Sequence, residues 1–251
     1  MTLSFAQKQE IIDNGYVKVP GVVPRAMLDA ALRAINSLVG EGLDGDDMTE
    51  LHDAAVITDL LLRTPAWELA ESAIGSGRID PPRRAQIALR FPSLEDPPPE
   101  PIGHLDGMHS EHNGVPKGEI RNFTMLVGIY LSDVPGPYAG NFTVWPGTHH
   151  AHERYFREHG AEALLDGMPP IDLPPPVHVT GAAGDVILAH YQVAHTAVTN
   201  VSPHTRYAVF FRLRHVGHPS FRPEAMTDIW LDWEGLRDLA PRADRCRITT
   251  A

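Results

Sequence analysis

The chain has 251 residues, enough to bury a sizeable core, and its 43% hydrophobic and 21% charged content is that of an ordinary globular protein. Its 32 acidic residues against 21 basic ones give a formal net charge of −11, which disfavours nucleic acid or an anionic membrane as partner. A single cysteine, Cys246, excludes an intrachain disulfide; with no apolar run of membrane-spanning length and no basic-then-apolar start, a cytoplasmic location is expected.

In chain order, FAQKQEIID has apolar residues at helical spacing until Asn14-Gly15 stops it, and YVKVP alternates like a short strand. PRAMLDAALRAINSLVG starts with proline at a first-turn position and ends at Gly40, as a helix does. TELHDAAVITDLLLR and PAWELAESAIG predict two more helices. From Arg84 the texture changes. RAQIALRF, NFTMLVGIYLSD, NFTVWP, VHVTG, DVILAHY and RYAVFFRLRH are short, β-branched or aromatic, and divided by Gly, Pro and Asn turns. The proline clusters FPSLEDPPPEP and MPPIDLPPP mark stiff surface connections. Helical material returns in HHAHERYFREHGAEALLDG and near MTDIWLDWEGL. The expectation is one α+β domain over residues 1–251, with helical support in 1–80, a jelly-roll core in 84–216 and a tail in 217–251.

The chemistry centres on GHLDG. His104 and Asp106 are two apart, so on an extended segment they point to the same side. Two imidazoles and one carboxylate are what a ferrous oxygenase places on one face of its metal. A third ligand has to come from a distant strand, and His190, His195 and His204 lie near strand ends. His195 is the best placed, at the end of the strand read in GDVILAHYQVA, eleven residues before Arg206 opens the next strand. His190 reads as a supporting or substrate-side group, and His204, in Ser-Pro-His, as an exposed turn residue. An arginine in the position of Arg206 can grip a carboxylate with two prongs.

These residues resemble those of the phytanoyl-CoA dioxygenase-type, Fe(II)- and 2-oxoglutarate-dependent oxygenases, and the resemblance runs over most of the chain. GHLDG matches the family's His-x-Asp, GNFTVWPGTHH its glycine-led strand into Pro-Gly-Thr-His, and GDVILAHYQVAHTAVTNVSPHTRYAVFFR its closing segment. The resemblance implies a double-stranded β-helix core. It implies His104, Asp106 and His195 as iron ligands and Arg206 as the grip on the distal carboxylate of 2-oxoglutarate. Arg90, with Gln86 on the same strand face, falls where the family carries residues for the co-substrate. One departure is Ala197, where the family has a small hydroxyl residue; Thr196 or Thr143 would have to supply it instead. A carboxylate ligand, Asp106, argues against halogenation, because related halogenases leave that place to chloride.

The resemblance implies that O2 oxidises 2-oxoglutarate and that a substrate C–H bond is hydroxylated, cyclised or desaturated. The loop MHSEHNGVPKGEIRN is polar, and an acidic chain disfavours a CoA thioester as substrate. His109, His112, Asn113, Trp145, His149 and His190 are the substrate-side candidates. Within the family, the chain looks most like bacterial tailoring enzymes of natural products, those of oligosaccharide antibiotics above all. Two other classes stay open: a cupin-type metal enzyme that does not use 2-oxoglutarate, and a non-catalytic jelly-roll binding module. Substrate identity and oligomeric state are not fixed by the sequence.

Overall fold

The computed structural model of the protein describes residues 1–110 and 114–240. Helix α1 (Phe5–Asn14) begins where Ser4 accepts the Gln7 amide while the Gln7 side chain reaches back to Ser4, and it ends at Gly15 in the left-handed region. Strand β1 (Tyr16–Val19) leads to α2 (Arg25–Val39), preceded by Pro24 and closed at Gly40. The helix expected over TELHDAAVITDLLLR is broken into α3 (Thr49–His52) and α4 (Ala55–Leu62). The cause is His52, which is buried and pinned between Gly45 O at 2.9 Å and Arg84 Nη2 at 2.8 Å. Helix α5 (Pro65–Ile74) follows, with the Thr64 hydroxyl capping it and proline in its first turn.

The strands come next: β2 (Ile79–Asp80), β3 (Gln86–Arg90), β4 (Met125–Tyr130) and β5 (Phe142–Trp145). Helix α6 (Thr148–His159) and a 3-10 turn (Ala161–Asp166) separate them from β6 (Val177–His178), β7 (Val186–His190), β8 (Ala194–Ala197) and β9 (Arg206–His215). Two short helices, α7 (Glu224–Thr227) and α8 (Glu234–Arg237), close the described chain. All pairings are antiparallel. One sheet runs β1-β7-β4-β9-β2, with β3 also on β9; the other runs β6-β5-β8. The expected α+β jelly-roll core with flanking helices is what forms.

The larger sheet buries both faces, for two different reasons. Met125, Val127, Ile129, Val186, Leu188, Val209, Phe211 and Leu213 point to the helices of the N-terminal third. The alternate residues Leu126, Tyr130, Ile187, Ala189, Ala208 and Phe210 point the other way and meet Phe142 and Val144 of the smaller sheet. Gly128 lies on this inner face opposite Phe210, and a Cβ there would sit 2.7 Å from the Phe210 ring.

One expectation needs correction. His195 does not end the strand that begins in GDVIL. That strand stops at His190, whose ring Nδ1 accepts the Gln192 amide at 3.0 Å while its carbonyl accepts the Val193 amide at 3.0 Å. The chain turns there and re-enters the smaller sheet as β8, which carries His195.

His149 and His190, read as substrate-side residues, are also placed otherwise: they are buried in the packing between α1, α6 and the C-terminal tryptophans. His149 and His150 both donate through Nε2 to Ile12 O, at 3.0 and 2.8 Å. His190 donates to Ile229 O at 2.9 Å and stacks on Trp233 at 5.1 Å. His152 donates to Gln192 O at 2.7 Å. Burial depresses the basicity of all three buried rings: His149 well below the usual histidine range, His152 and His190 to about 4.

A group whose folded pKa lies below its unfolded value leaves the unfolded chain binding more protons, so stability falls as pH drops from about 6.5 toward 4. Thermal denaturation between pH 7.5 and 4.5 is expected to show a steep loss of melting temperature over that range, with His152→Gln flattening it. A flat profile would remove the neutral-histidine packing from the account. Gly128→Ala is expected to cost about 1–3 kcal/mol by forcing the Phe210 ring aside, read as a fall in the urea midpoint without change in slope.

Candidate metal centre

The loop entering the site alternates like a strand. Gly103, Leu105 and Gly107 are buried, whereas His104 and Asp106 turn the other way. Gly103 lies against the Trp145 indole, which is itself only 3% exposed. A two-way backbone bridge joins this loop to β8: His104 N–H donates to His195 O at 3.0 Å, and His195 N–H to His104 O at 3.1 Å. Directly opposed residues of an antiparallel bridge share a face, so the two imidazoles meet with centroids 4.7 Å apart.

Asp106 completes the group. Its Oδ1 lies 3.5 Å from His104 Nε2 and 3.8 Å from His195 Nε2, and the three ligand atoms all fall within 4.8 Å of one another. Among the described residues this is the one such cluster of three metal-ligating side chains. His195 donates through Nδ1 to Val193 O at 3.1 Å, which leaves the Nε2 lone pair on the side of Asp106. Burial pushes His195 down to about 4, with Asp106 opposing and His104 adding, so it is the neutral, ligating form that this site holds. Burial works against the Asp106 charge, but Arg212 and the two imidazoles outweigh it and hold the carboxyl far below its usual range. Two imidazoles facing an ionised carboxylate are a donor set suited to a divalent ion.

Arg206 opens β9 directly opposite Arg90. Its side chain is 1% exposed; Nε donates to Gly140 O at 2.6 Å and Nη1 to Ala88 O at 2.9 Å. Gly140 makes that approach possible, since a Cβ there would lie 2.9 Å from the Arg90 Cβ. Nη2 is buried with no hydrogen-bond partner among the described residues. Burial lowers Arg206 to about 10, with Arg90 adding and Tyr130 opposing, so it stays cationic at neutral pH. A buried guanidinium with a free prong and only neutral carbonyl partners fits an anionic group.

The other expected residues divide. Arg90 is exposed and donates to its neighbour's carbonyl, Leu89 O, at 3.1 Å. Gln86 lies away from Arg206: its Oε1 accepts from Arg212 Nη1 at 3.2 Å, so it belongs to the Asp106 end of the strand face. Thr143 pairs with Thr196, while Val144 pairs with His195. Thr143 and Thr196 therefore point away from the His195 face, and the Thr143 hydroxyl meets His178 Nδ1 at 3.0 Å, so neither replaces the hydroxyl that Ala197 lacks. Trp145 is a packing residue. His109 is exposed and meets Val115 O through Nδ1 at 2.6 Å. His112 and Asn113 lie outside the described residues. Sequence reasoning missed Arg212, although it has the same strand parity as Arg206.

Residues 96–208 match the phytanoyl-CoA dioxygenase (PhyH) family model. That stretch holds His104, Asp106, His195 and Arg206. No curated protein matches the chain. Among solved structures, the non-haem α-ketoglutarate-dependent carbocyclase SnoK of nogalamycin biosynthesis aligns at 23% identity over 84% of this chain and 83% of its own, with a TM-score of 0.58. AviO1 from Streptomyces viridochromogenes Tue57 aligns at 21% identity over 85% and 96%, with a TM-score of 0.57. HygX from Streptomyces hygroscopicus, solved with nickel, 2-oxoglutarate and hygromycin B, aligns at 19% identity over 88% and 90%, with a TM-score of 0.56. At these identities the likeness is one of fold. No helix among the described residues is long and apolar enough to cross a membrane.

His195→Ala is expected to weaken binding of Ni(II) by on the order of 100-fold or more, measured by calorimetric titration of the purified protein. His204→Ala, in an exposed turn, is expected to leave it unchanged. Equal effects of the two would remove His195 from the site.

Proposed function

We propose that the protein is a non-haem Fe(II)- and 2-oxoglutarate-dependent oxygenase acting on a polar small-molecule intermediate of natural-product biosynthesis. The observation that carries this reading is the pairing of the His104–Asp106–His195 cluster with Arg206, a buried cation that has one prong without a partner. The PhyH match over the stretch that contains all four residues supports it.

In this reading His104 Nε2, His195 Nε2 and Asp106 Oδ1 hold the iron, and Arg206 Nη2 holds the far carboxylate of 2-oxoglutarate. Iron and 2-oxoglutarate bound there supply the oxidising chemistry, in which O2 converts the co-substrate to succinate and carbon dioxide and a substrate C–H bond is oxidised. The chain's own residues do the rest. His195 is kept neutral by burial and keeps its tautomer through Val193 O. Phe142 packs on the His195 ring, with centroids 5.3 Å apart, and on Phe210 at 5.6 Å, so the buried side of the His195 imidazole is apolar. His104, half-exposed, marks the side open to substrate, and the exposed Gln86 and Arg212, linked to Asp106, add polar groups at that end of the site. These polar groups, together with HygX holding hygromycin B and SnoK belonging to nogalamycin biosynthesis, support a hydroxyl-rich or amino-bearing substrate.

Anaerobic protein with Fe(II) and 2-oxoglutarate is expected to show the weak visible charge-transfer band of the chelate. His195→Ala abolishes it. Arg206→Met raises the 2-oxoglutarate concentration needed by on the order of 100-fold while Fe(II) binding persists. Iron binding without any band in the wild type would overturn the co-substrate and point to a metal enzyme working without it.

A further inference from the structure

The two carboxylate oxygens of Asp106 have different partners. Oδ1 faces the imidazoles of His104 and His195. Oδ2 accepts from Arg212 Nε at 2.9 Å and lies 2.9 Å from Nη2, so two guanidinium nitrogens converge on one oxygen. The guanidinium is in turn held in place. Its Nη1 donates to Gln86 Oε1 at 3.2 Å, and its central carbon lies 5.8 Å from the centre of the Phe123 ring. Arg212 sits on the inner-face parity of β9, directly opposite Leu126 of β4. It lies beyond residue 208, where the family match ends.

We propose that Arg212 is a positioning residue that fixes Asp106 as a one-oxygen metal ligand, with Gln86 steering the guanidinium. The inference rests on reading the His104–Asp106–His195 cluster as a metal centre. A carboxylate can ligate through one oxygen or through both, and its terminal torsion is soft, so the side chain alone does not choose. Two-oxygen ligation would occupy a coordination position that an oxygenase leaves open for co-substrate and O2. The Arg212 fork on Oδ2 removes that choice by holding one rotation of the carboxylate with Oδ1 forward. Charge alone does not account for the arrangement, because a cation beside the site repels a metal ion. The planar fork is the useful property, and lysine lacks it.

The test uses Co(II), whose visible absorption weakens as its coordination number rises, added to the full-length protein. Arg212→Met and Arg212→Lys are both expected to weaken Co(II) binding by about 10–100-fold and to lower the absorption per bound ion. Gln86→Leu is expected to shift both readouts in the same direction by less. Arg212 is two-fifths exposed, and melting temperatures recorded alongside separate loss of the clamp from loss of fold. Wild-type affinity and spectrum in Arg212→Met would overturn the proposal, as would tighter binding there or full retention in Arg212→Lys. If Co(II) binding is lost in His195→Ala yet indifferent to both Arg212 variants, the clamp alone fails. A wild type that binds no Co(II) sinks the metal centre and the clamp together.

Discussion

Two backbone hydrogen bonds, His104 N–H to His195 O and His195 N–H to His104 O, join the loop after the proline run to β8 of the smaller sheet. Each contributes roughly 1 kcal/mol net, a small share of any domain's stability. Their importance is geometric. They place two histidines far apart in sequence on one face of one bridge, and the strand-like alternation of the loop then carries Asp106 to the same side. Leu105, 1% exposed, and Gly103 against Trp145 hold the loop from behind. Slippage by one residue would turn His104 and Asp106 into the core and Leu105 into solvent, a loss of about 1.5–3 kcal/mol for the leucine alone, plus the burial of a carboxylate.

The bridge needs β8 to be where it is, and β8 is set by the turn at residues 191–193. His190 closes β7 by accepting the Gln192 amide on its ring and the Val193 amide on its carbonyl. Thr148, at the start of α6, accepts the Ala194 amide at 2.9 Å and donates to Trp145 O at 2.7 Å, so one hydroxyl ties β5, α6 and β8 together. The buried histidines of α6 and β7 therefore serve the site from a distance. They lock α6 onto α1 through Ile12 O and β7 onto the C-terminal segment through Ile229 O. Kept neutral by burial, they act here as hydrogen-bonding core residues.

What the sequence made legible was what depends on local pattern. His104 and Asp106 were readable because the spacing of two fixes their common side on any extended segment, and Arg206 because it opens a strand of clear β texture. The turn after His190 was not, because DVILAHYQVAHTAV is apolar almost throughout and only the hydrogen bonds of His190 show where β7 stops. Thr143 was misread for a related reason: strand parity decides which way its hydroxyl points, and the register with Thr196 is a property of the pairing. The same ignorance of register hid the partner of Gln86, which shares the strand face of Arg90 as read but meets Arg212 of the neighbouring strand. Arg212 did leave a signal. In RYAVFFRLRH, residues 206, 208, 210 and 212 share a face, so an arginine at 212 falls on the same side as the one at 206 and could be read toward the site in the same way. His149 and His190 went astray because histidine enrichment says nothing about whether an imidazole faces solvent, a ligand or a tryptophan.

Arg206 and Arg212 lie on one face of one strand, yet the structure treats them in opposite ways. Arg212 is two-fifths exposed and fully engaged, with an acid on one side of its fork and an amide on the other. Arg206 is buried and engaged only by two neutral carbonyls, with a third nitrogen left over. Desolvating a guanidinium without an anion is costly, and neither Gly140 O nor Ala88 O neutralises it. Partnered this way, Arg212 cannot also grip a dicarboxylate without releasing Asp106. Among the described residues, Arg206 keeps Nη2 without a partner while its other two bonds stand. The difference in partners, more than the shared charge, is what the proposed roles rest on, Arg206 toward a ligand and Arg212 in the frame that holds Asp106.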